Sequence, residues 1–172
     1  TVAKECAHIE FVTPMVCVAG AVADYVLAAM VRDRNLDRAY VNNGGDIAVF
    51  LAPGQTYDVG VCADITSGAI ASVAQISALD GIGGIATSGW RGRSHSLGIA
   101  DAVTVLASTA AEADTAATLI ANAVDLAGHE NITRAPAIQL SPDSDLEDRL
   151  VTMDVGPLSR AEASQALNAG HL

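Results

Sequence analysis

A carboxylate and a hydroxyl stand four residues apart, at Asp114 and Thr118, in a segment whose composition favours a helix. Residues at positions i and i+4 share one helix face, one turn apart. Magnesium takes oxygen ligands and keeps water or phosphate oxygens in its other positions, so two protein oxygens at this spacing are enough to seat it. The pair is therefore a candidate magnesium site, and the alternative is a plain solvated helix face.

The run from Asn42 to Asp46 reads NNGGD and combines small polar side chains with two glycines. Paired glycines let the main chain adopt positive φ and approach a ligand closely, while Asn and Asp supply donors and acceptors without bulk. The alternative is a β-bulge with a local Asx turn. The candidate ligand-binding residues here are Asn43, Gly44, Gly45 and Asp46.

The segment from Gly84 to Val103, GIATSGWRGRSHSLGIADAV, carries a second group of polar residues. Two of the 9 Lys and Arg residues of the chain, Arg91 and Arg93, stand there among glycines and small hydroxyl residues. Arginine can bind a phosphate or a carboxylate through two parallel hydrogen bonds, and loop N–H groups can form an anion-binding nest. The segment predicts binding of an anionic small molecule, and the alternative is an exposed hairpin loop with Trp90 covering its base.

His95 in the same segment is the candidate catalytic residue, because histidine titrates near neutrality and can act as general acid or base. No carboxylate partner for it is evident in the sequence, so the alternative is a surface residue or a hydrogen-bond donor. A Walker A loop, a G-x-G-x-x-G fingerprint, a G-x-S-x-G elbow and an H-E-x-x-H helix are absent from the sequence.

The 172 residues are 51% hydrophobic and 17% charged, which is typical of a globular protein with a buried core, and residues 1–172 are predicted to form a single domain. The net charge is -11, from 9 Lys and Arg against 20 Asp and Glu. Such a surface repels a phosphate backbone or an anionic membrane, whereas a divalent cation suits it. No nucleic-acid or membrane partner is expected, and a homo-oligomer stays open.

Three cysteines, Cys6, Cys17 and Cys62, are an odd number without a C-x-x-C spacing. Neither a disulfide framework nor a zinc ribbon is indicated, and a reducing, cytoplasmic location is expected. The apolar run from Phe11 to Val31 contains Asp24 and has a Thr-Pro pair near its start, which favours a buried helix over a membrane span. No basic segment precedes this run, so it is not a signal peptide as it stands.

The chain is predicted to be an α+β protein with a largely antiparallel sheet, because its middle strands are joined by short glycine-rich turns. A first helix is predicted from Pro14 to about Arg32 with Thr13 as its N-cap. A second is predicted from about Ala110 to Ala127, with Thr109 and Glu112 at capping-box spacing. Further elements are two strand pieces within 39–51 joined through Gly44 and Gly45, strands at 57–63, 82–87, 101–107 and 150–155, a polar connection at 129–148, and a final helix capped by Ser159 and Glu162.

Five short blocks of this sequence resemble the ApbE family, the FAD:protein FMN transferases, and more closely the uncharacterised ApbE-like branch. The blocks are VAGAVADYV (18–26), VNNGGDI (41–47), GIATSG (84–89), DAVTVLA (101–107) and ADTAAT (113–118). The occurrence of all five blocks in the order of the family is far more specific than any one block. The family members are longer, so the resemblance implies a core segment that lacks an N-terminal part of the family fold.

The resemblance implies roles for the residues that match its motifs. A helix Asp and Thr bind magnesium in the flavin transferases, which makes Asp114 and Thr118 the leading metal ligands here. The implied reaction is transfer of FMN from FAD to a protein Thr or Ser hydroxyl, with magnesium on the pyrophosphate and release of AMP. The GGD turn and the TSG segment line the flavin site of the family, which gives binding roles to Asn43, Gly44, Gly45, Asp46, Thr87 and Ser88.

The chain departs from the transferases at two places. The early helix has Ala19-Gly20 where they have a Lys-Gly pair, and RGRSHSLGIADAV (91–103) stands where they have an H-x-x-D-P segment. The pocket expected between the GGD turn, the arginine loop and the Asp114 helix therefore binds a flavin nucleotide or another anionic small molecule, with or without transfer. Two alternatives stay open, namely an amide hydrolase with Thr1 as nucleophile and a ligand-binding protein without catalysis.

Overall fold

The computed structural model describes residues 11–64 and 69–171, with the side chains of residues 61–72 outside the description. The chain divides into two compact units. The first contains the residues up to Thr87 together with Thr104–Ala116, and the second contains Ser88–Val103 and Ala117–Leu172. The single domain expected for residues 1–172 stays a prediction beside this division.

The described part of the chain combines helices with antiparallel sheets, so the predicted α+β class is confirmed. The strands are β1 (Arg38–Asn43), β2 (Asp46–Leu51), β3 (Thr56–Asp64), β4 (Ala69–Ser77), β5 (Gly84–Ser88), β6 (Val103–Ala107), β7 (Ile132–Pro136) and β8 (Leu150–Val155). The helices are α1 (Val18–Val31), α2 (Ala110–Ala123), α3 (Ala137–Leu140) and α4 (Arg160–Ala169).

A four-stranded sheet in the order β1-β2-β5-β6 forms the centre of the first unit. Strand β2 pairs antiparallel with β1 on one side and with β5 on the other. The Gly83 N–H donates to the Ala107 carbonyl at 3.0 Å, and the Thr87 and Thr104 hydroxyls hydrogen-bond at 2.9 Å. Strands β5 and β6 therefore also run in opposite directions.

Helix α1 packs on one face of this sheet through small side chains. Its buried residues are Gly20, Ala23 and Leu27, which share one side of the helix because they are three or four positions apart. Small residues on the helix and on β1 and β2 let the helix approach the sheet closely. The buried apolar cluster at this contact consists of Ala23, Leu27, Ala39, Ala48 and Ala110.

The β3-β4 hairpin lies against the other face of the sheet. Successive strand residues point to opposite faces, so Ile47 and Val49 of β2 lie on the side away from Ala48. They pack with Ile76 of β4 and Ile85 of β5 in a second apolar cluster. The four-stranded sheet is therefore covered on both faces within the first unit.

The outward side of α1 is apolar as well. By length and composition the segment Pro14–Val31 is long and apolar enough to cross a membrane, and 17% of it is buried. The core helix of a soluble protein and a signal sequence also meet this criterion, and α1 is in contact with β1 and β2. Helix α1 thus packs on the sheet with one side, and both the choice of a buried helix over a membrane span and the cytoplasmic location stay predictions. The exposed apolar residues are Met15, Val18, Val22, Tyr25 and Val26.

The second unit contains the β7-β8 hairpin and helix α4. The capping box predicted for α4 is present, because the Ser159 hydroxyl accepts the Glu162 N–H at 3.3 Å and the Glu162 carboxylate accepts the Ser159 N–H at 2.6 Å. The apolar core of this unit consists of Ile99, Ala100, Ala121, Val124, Leu126 and Ala166.

Both long helices differ from their predicted bounds. Thr13 caps a 3-10 turn, Pro14–Cys17, and the α-helix begins only at Val18. Helix α2 ends at Ala123 and not at Ala127. The carbonyl of Val124 accepts the Ile99 N–H at 2.8 Å, so a long-range hydrogen bond replaces the continuation of the helix.

Four elements were missing from the prediction or shifted within it. The Ala/Ser-rich segment after β3 forms strand β4, which pairs with β3 through a register containing a bulge. The polar connection at 129–148 contains strand β7 and helix α3, and β7 pairs with β8. Strand β6 begins at Val103, so Asp101 lies outside it. Strand β4 pairs with the strand directly before it, but its Ala- and Ser-rich composition lacks a clear strand pattern, whereas the partner of β7 lies beyond α3 in the chain.

Candidate metal and ligand site

The GGD turn is a two-residue hairpin loop and not a β-bulge. Asn43 pairs with Asp46 at the end of the β1-β2 ladder. Gly44 and Gly45 have φ values of 74° and 119°, in the region that favours glycine. The Asn42 side-chain oxygen accepts the Gly45 N–H at 2.9 Å, three residues on, where the predicted Asx turn would use the N–H two residues on. This tight loop places the half-buried Asp46 at the first position of β2.

Asp46 lies on the face of the sheet that carries α1. It is two residues before Ala48, so both side chains point to the same face, and Ala48 belongs to the cluster beneath α1. Beside it, the Asn43 amide donates to the Ala19 carbonyl at 3.1 Å. This hydrogen bond attaches the hairpin loop to the first turn of the helix.

Asp114 lies against the same first turn of α1. Its Oδ2 atom accepts the Gly20 N–H at 3.1 Å. Gly20 is the third residue of the helix, so this N–H is one of the four donors at a helix start that have no partner within the helix. No donor among the described residues reaches Asp114 Oδ1, which leaves that oxygen for a ligand.

The two carboxylates of this region are poorly solvated. The pKa of Asp114 is raised from its ordinary value of 3.8 to about 6. Burial is the largest cause and raises the pKa, the hydrogen bond from Gly20 lowers it, and the negative charge of Asp46 raises it further. Burial also raises the pKa of Asp46. Ionisation of the pair is unfavourable without a counter-charge, so a bound cation would be stabilised here.

The donor set suits a hard cation that is held partly by protein. No three His, Cys, Asp or Glu side chains within the described ranges form a metal-binding cluster. A structural zinc site, which needs four protein ligands, does not fit these residues. Magnesium does, because it binds through one or two carboxylates and takes its other oxygens from water or ligand phosphates.

Thr118 and Ser88, predicted as metal and ligand residues, contact each other in the second unit. The Thr118 hydroxyl donates to the Ser88 hydroxyl at 3.5 Å, and both side chains are half-buried. Thr118 lies on α2 one turn beyond Asp114, as its spacing predicts. Thr87 is exposed and hydrogen-bonds with Thr104. The metal and ligand roles of these residues stay predictions.

Arg91 is held by residues of its own segment. Its Nε atom donates to Asp101 Oδ1 at 2.6 Å, and its guanidinium carbon lies 4.6 Å from the centre of the Trp90 ring. The Trp90 indole N–H donates to the same oxygen at 3.1 Å. Asp101 therefore offsets the charge of Arg91. Arg93 is exposed, and anion binding by the two arginines stays a prediction.

His95 is half-buried, and its Nε2 atom lies 3.2 Å from the Ser141 hydroxyl oxygen. Ser141 follows α3, an element that the sequence did not predict. No carboxylate within the described residues forms an ion pair with His95. Its catalytic role stays a prediction, and the alternative nucleophile Thr1 lies outside the described residues.

The contact between α1 and Asp114 was not predicted from the sequence. Small residues around Gly20 in the first helix are compatible with close packing, but they do not indicate that its N–H meets a carboxylate. The coupling of Asp46 with Asp114 was also missed. The sequence did carry a signal for this helix contact. Each helix has a small residue four positions before an aspartate, Gly20 before Asp24 and Ala110 before Asp114.

A cavity of about 240 Å³ lies on the other face of the sheet. Tyr40 and Tyr57 meet edge to face at one side of it, with ring centres 6.1 Å apart. None of the predicted site residues lines this cavity, so it is separate from the carboxylates. Its aliphatic lining includes Ile47, Val49, Ile76 and Ile85.

Comparison with known proteins identifies relatives of this chain. Residues 1–172 match the family model described as AbpE bacteria. A UPF0280 protein of Methanothrix thermoacetophila is 43% identical over 115 residues, which are 66% of this chain and 46% of that protein. A UPF0280 protein of Methanococcoides burtonii is 39% identical over 124 residues, 71% of this chain and 50% of the relative. The chain thus spans about half the length of these relatives, and no solved structure matches it.

Proposed function

Because this chain belongs to the AbpE bacteria family, we propose that it is an ApbE-like protein that binds a flavin nucleotide, or another phosphate-bearing small molecule, together with magnesium at Asp114. The five sequence blocks support the ApbE-like assignment. The observation that carries the metal proposal is the Asp114 carboxylate, half-buried, coupled to Asp46 and with Oδ1 left without a donor from the described residues.

The first role of the proposed site is to reduce the electrostatic repulsion between the protein and its ligand. A chain with a net charge of -11 repels an anionic nucleotide, and two neighbouring carboxylates increase the repulsion locally. Magnesium, when bound, offsets this charge and polarises the pyrophosphate of the ligand. The Gly20 N–H fixes Oδ2 of Asp114 and orients Oδ1 for the cation.

With FAD as substrate, the reaction in this proposal is phosphoryl transfer. A Thr or Ser hydroxyl oxygen of an acceptor protein forms a bond to the FMN phosphorus, and its proton passes to a base. The bond from that phosphorus to the bridging oxygen breaks, and the oxygen leaves with AMP. The ligand-binding set of Asn43, Gly44, Gly45, Asp46, Thr87, Ser88, Arg91 and Arg93, and the acid–base role of His95, are assigned from the sequence and the resemblance.

Isothermal titration of FAD into the protein, with and without magnesium, tests the proposal. We expect FAD to bind the wild-type protein tightly only with magnesium, and Asp114→Asn to weaken that binding about tenfold or more. Asp143→Asn, which changes an exposed turn aspartate, is the matched control and should bind as wild type. Equal magnesium-dependent heats from wild type and Asp114→Asn, or none from either, would remove the metal site.

Product analysis separates transfer from binding alone. Chromatography of FAD incubated with magnesium, the protein and a Thr- or Ser-containing acceptor should show AMP if the chain supports transfer. Binding without AMP favours the non-catalytic alternative, which agrees with the missing Lys and H-x-x-D-P segment. The hydrolase alternative requires cleavage that exposes Thr1, so the intact mass of a longer precursor decides it.

A further inference from the structure

Helices α1 and α2 carry the same small-residue and aspartate spacing where they meet. Gly20 precedes Asp24 by one helical turn, and Ala110 precedes Asp114 by one turn. The backbones touch at the small residues, because a Cβ atom at Gly20 would lie 2.4 Å from the Ala110 carbonyl oxygen. Each aspartate is thereby brought to the beginning of the other helix.

Asp24 uses both carboxylate oxygens to hold α2. Its Oδ1 accepts the Ala110 N–H at 2.9 Å, and its Oδ2 accepts the Ala111 N–H at 3.0 Å. These are the first two residues of α2, whose N–H groups have no partners within the helix. A carboxylate at this position also interacts favourably with the helix dipole. Asp24 is thus fully engaged in binding backbone.

Asp114 differs from Asp24 in two respects. It accepts one N–H, from Gly20, and no described donor reaches its second oxygen. It also faces the negative charge of Asp46, whereas Asp24 faces two backbone donors. The same sequence spacing therefore produces one carboxylate that anchors a helix and one that can bind a ligand.

We propose that Asp24 is a positioning residue for the cation site: it fixes the first turn of α2 and so sets the position of Asp114 beside Asp46 and the Gly20 N–H. This inference rests on the proposed function, because it assigns Asp24 to the same cation site. In this proposal Asp24 is not a ligand of the cation, and each of its oxygens instead accepts a backbone N–H of α2.

Manganese affinity of two cap variants tests the positioning role. Asp24→Asn turns an amide donor toward the N–H groups of α2, and we expect it to weaken Mn²⁺ binding about tenfold. Thr109→Ala is the matched control, because Thr109 accepts the Glu112 N–H at 3.2 Å and caps the same helix without contacting Asp24. It should change the affinity less than about twofold. Equal losses in both variants, or wild-type affinity in Asp24→Asn, would overturn the proposal.

The Gly20 amide resonance gives a readout that does not depend on the metal. In wild type its chemical shift should follow the titration of Asp114, and in Asp24→Asn this dependence should be lost or displaced while the circular dichroism stays helical. An unchanged titration contradicts the positioning role. If wild type binds no Mn²⁺, the proposed function fails, and the amide titration still decides whether Asp24 positions Asp114. If Asp24→Asn does not fold, Asp24→Ser, which keeps one acceptor, takes its place with the same expected outcomes.

Discussion

The Asp114 carboxylate is costly to ionise in the folded protein. Its pKa of about 6 lies above the ordinary 3.8, so between these values the folded state binds a proton more tightly than the unfolded chain does. The free energy of unfolding contributed by this group therefore falls as pH rises through this window. Above about pH 6 the penalty for the ionised carboxylate is complete.

Asp114→Asn should stabilise the protein at neutral pH in the presence of a chelator. The amide keeps an acceptor for the Gly20 N–H but carries no charge, so we expect a gain of about 1–2 kcal/mol at pH 7.5, discounted because the group is partly exposed. The gain should vanish near pH 4, where the wild-type carboxyl is protonated. Urea unfolding of both proteins from pH 4 to 8 measures it, and parallel stability curves would contradict the raised pKa.

At the scale of the elements, the crossing of α1 and α2 depends on the absence of a side chain at Gly20. Helix propensity alone makes Gly20→Ala stabilising by about 1 kcal/mol. The added Cβ would lie 2.4 Å from the Ala110 carbonyl oxygen, so we expect a loss of about 1–3 kcal/mol instead. The sign of the change in urea unfolding distinguishes the two expectations. A more stable Gly20→Ala would show that the helices can move apart at little cost.

The elements that sequence predicted correctly carry their signals locally. Paired glycines end β1, a β-branched run forms β6, and Ser159 with Glu162 begins α4. Strand β4 was missed because its Ala- and Ser-rich composition lacks a clear strand pattern, and β7 was missed because its partner β8 lies beyond α3 in the chain. The end of α2 was placed too late because a hydrogen bond from Ile99 competes for Val124.

The sequence identified residues of the candidate site, but it did not show which of them contact each other. Spacing identified Asp114, and the GGD motif identified Asp46. Their electrostatic coupling depends on how α1 sits on the sheet, which no local pattern specifies. The pairing of Arg91 with Asp101 was hidden because the DAVTVLA block assigned that aspartate to a strand.

At the scale of the whole molecule, the net charge of -11 repels an anionic ligand. Without magnesium, FAD affinity should rise about two- to fivefold between 20 and 300 mM KCl, because salt screens the repulsion. A binder that relied on a basic surface would show the opposite trend. Quenching of FAD fluorescence at the two salt concentrations measures the effect. Falling affinity with salt would mean that local arginines dominate the field of the molecule.

Reciprocal helix capping makes the order of synthesis matter. The acceptor of the Gly20 N–H lies 94 residues later in the chain, and the first donor to Asp24 lies 86 residues later. At about 5–20 residues per second, α1 is made roughly 5 to 20 seconds before these capping residues exist. Strands β1 and β2 are made before α2, so the sheet can cover the inner face of α1 while the capping contacts of its first turn are still missing.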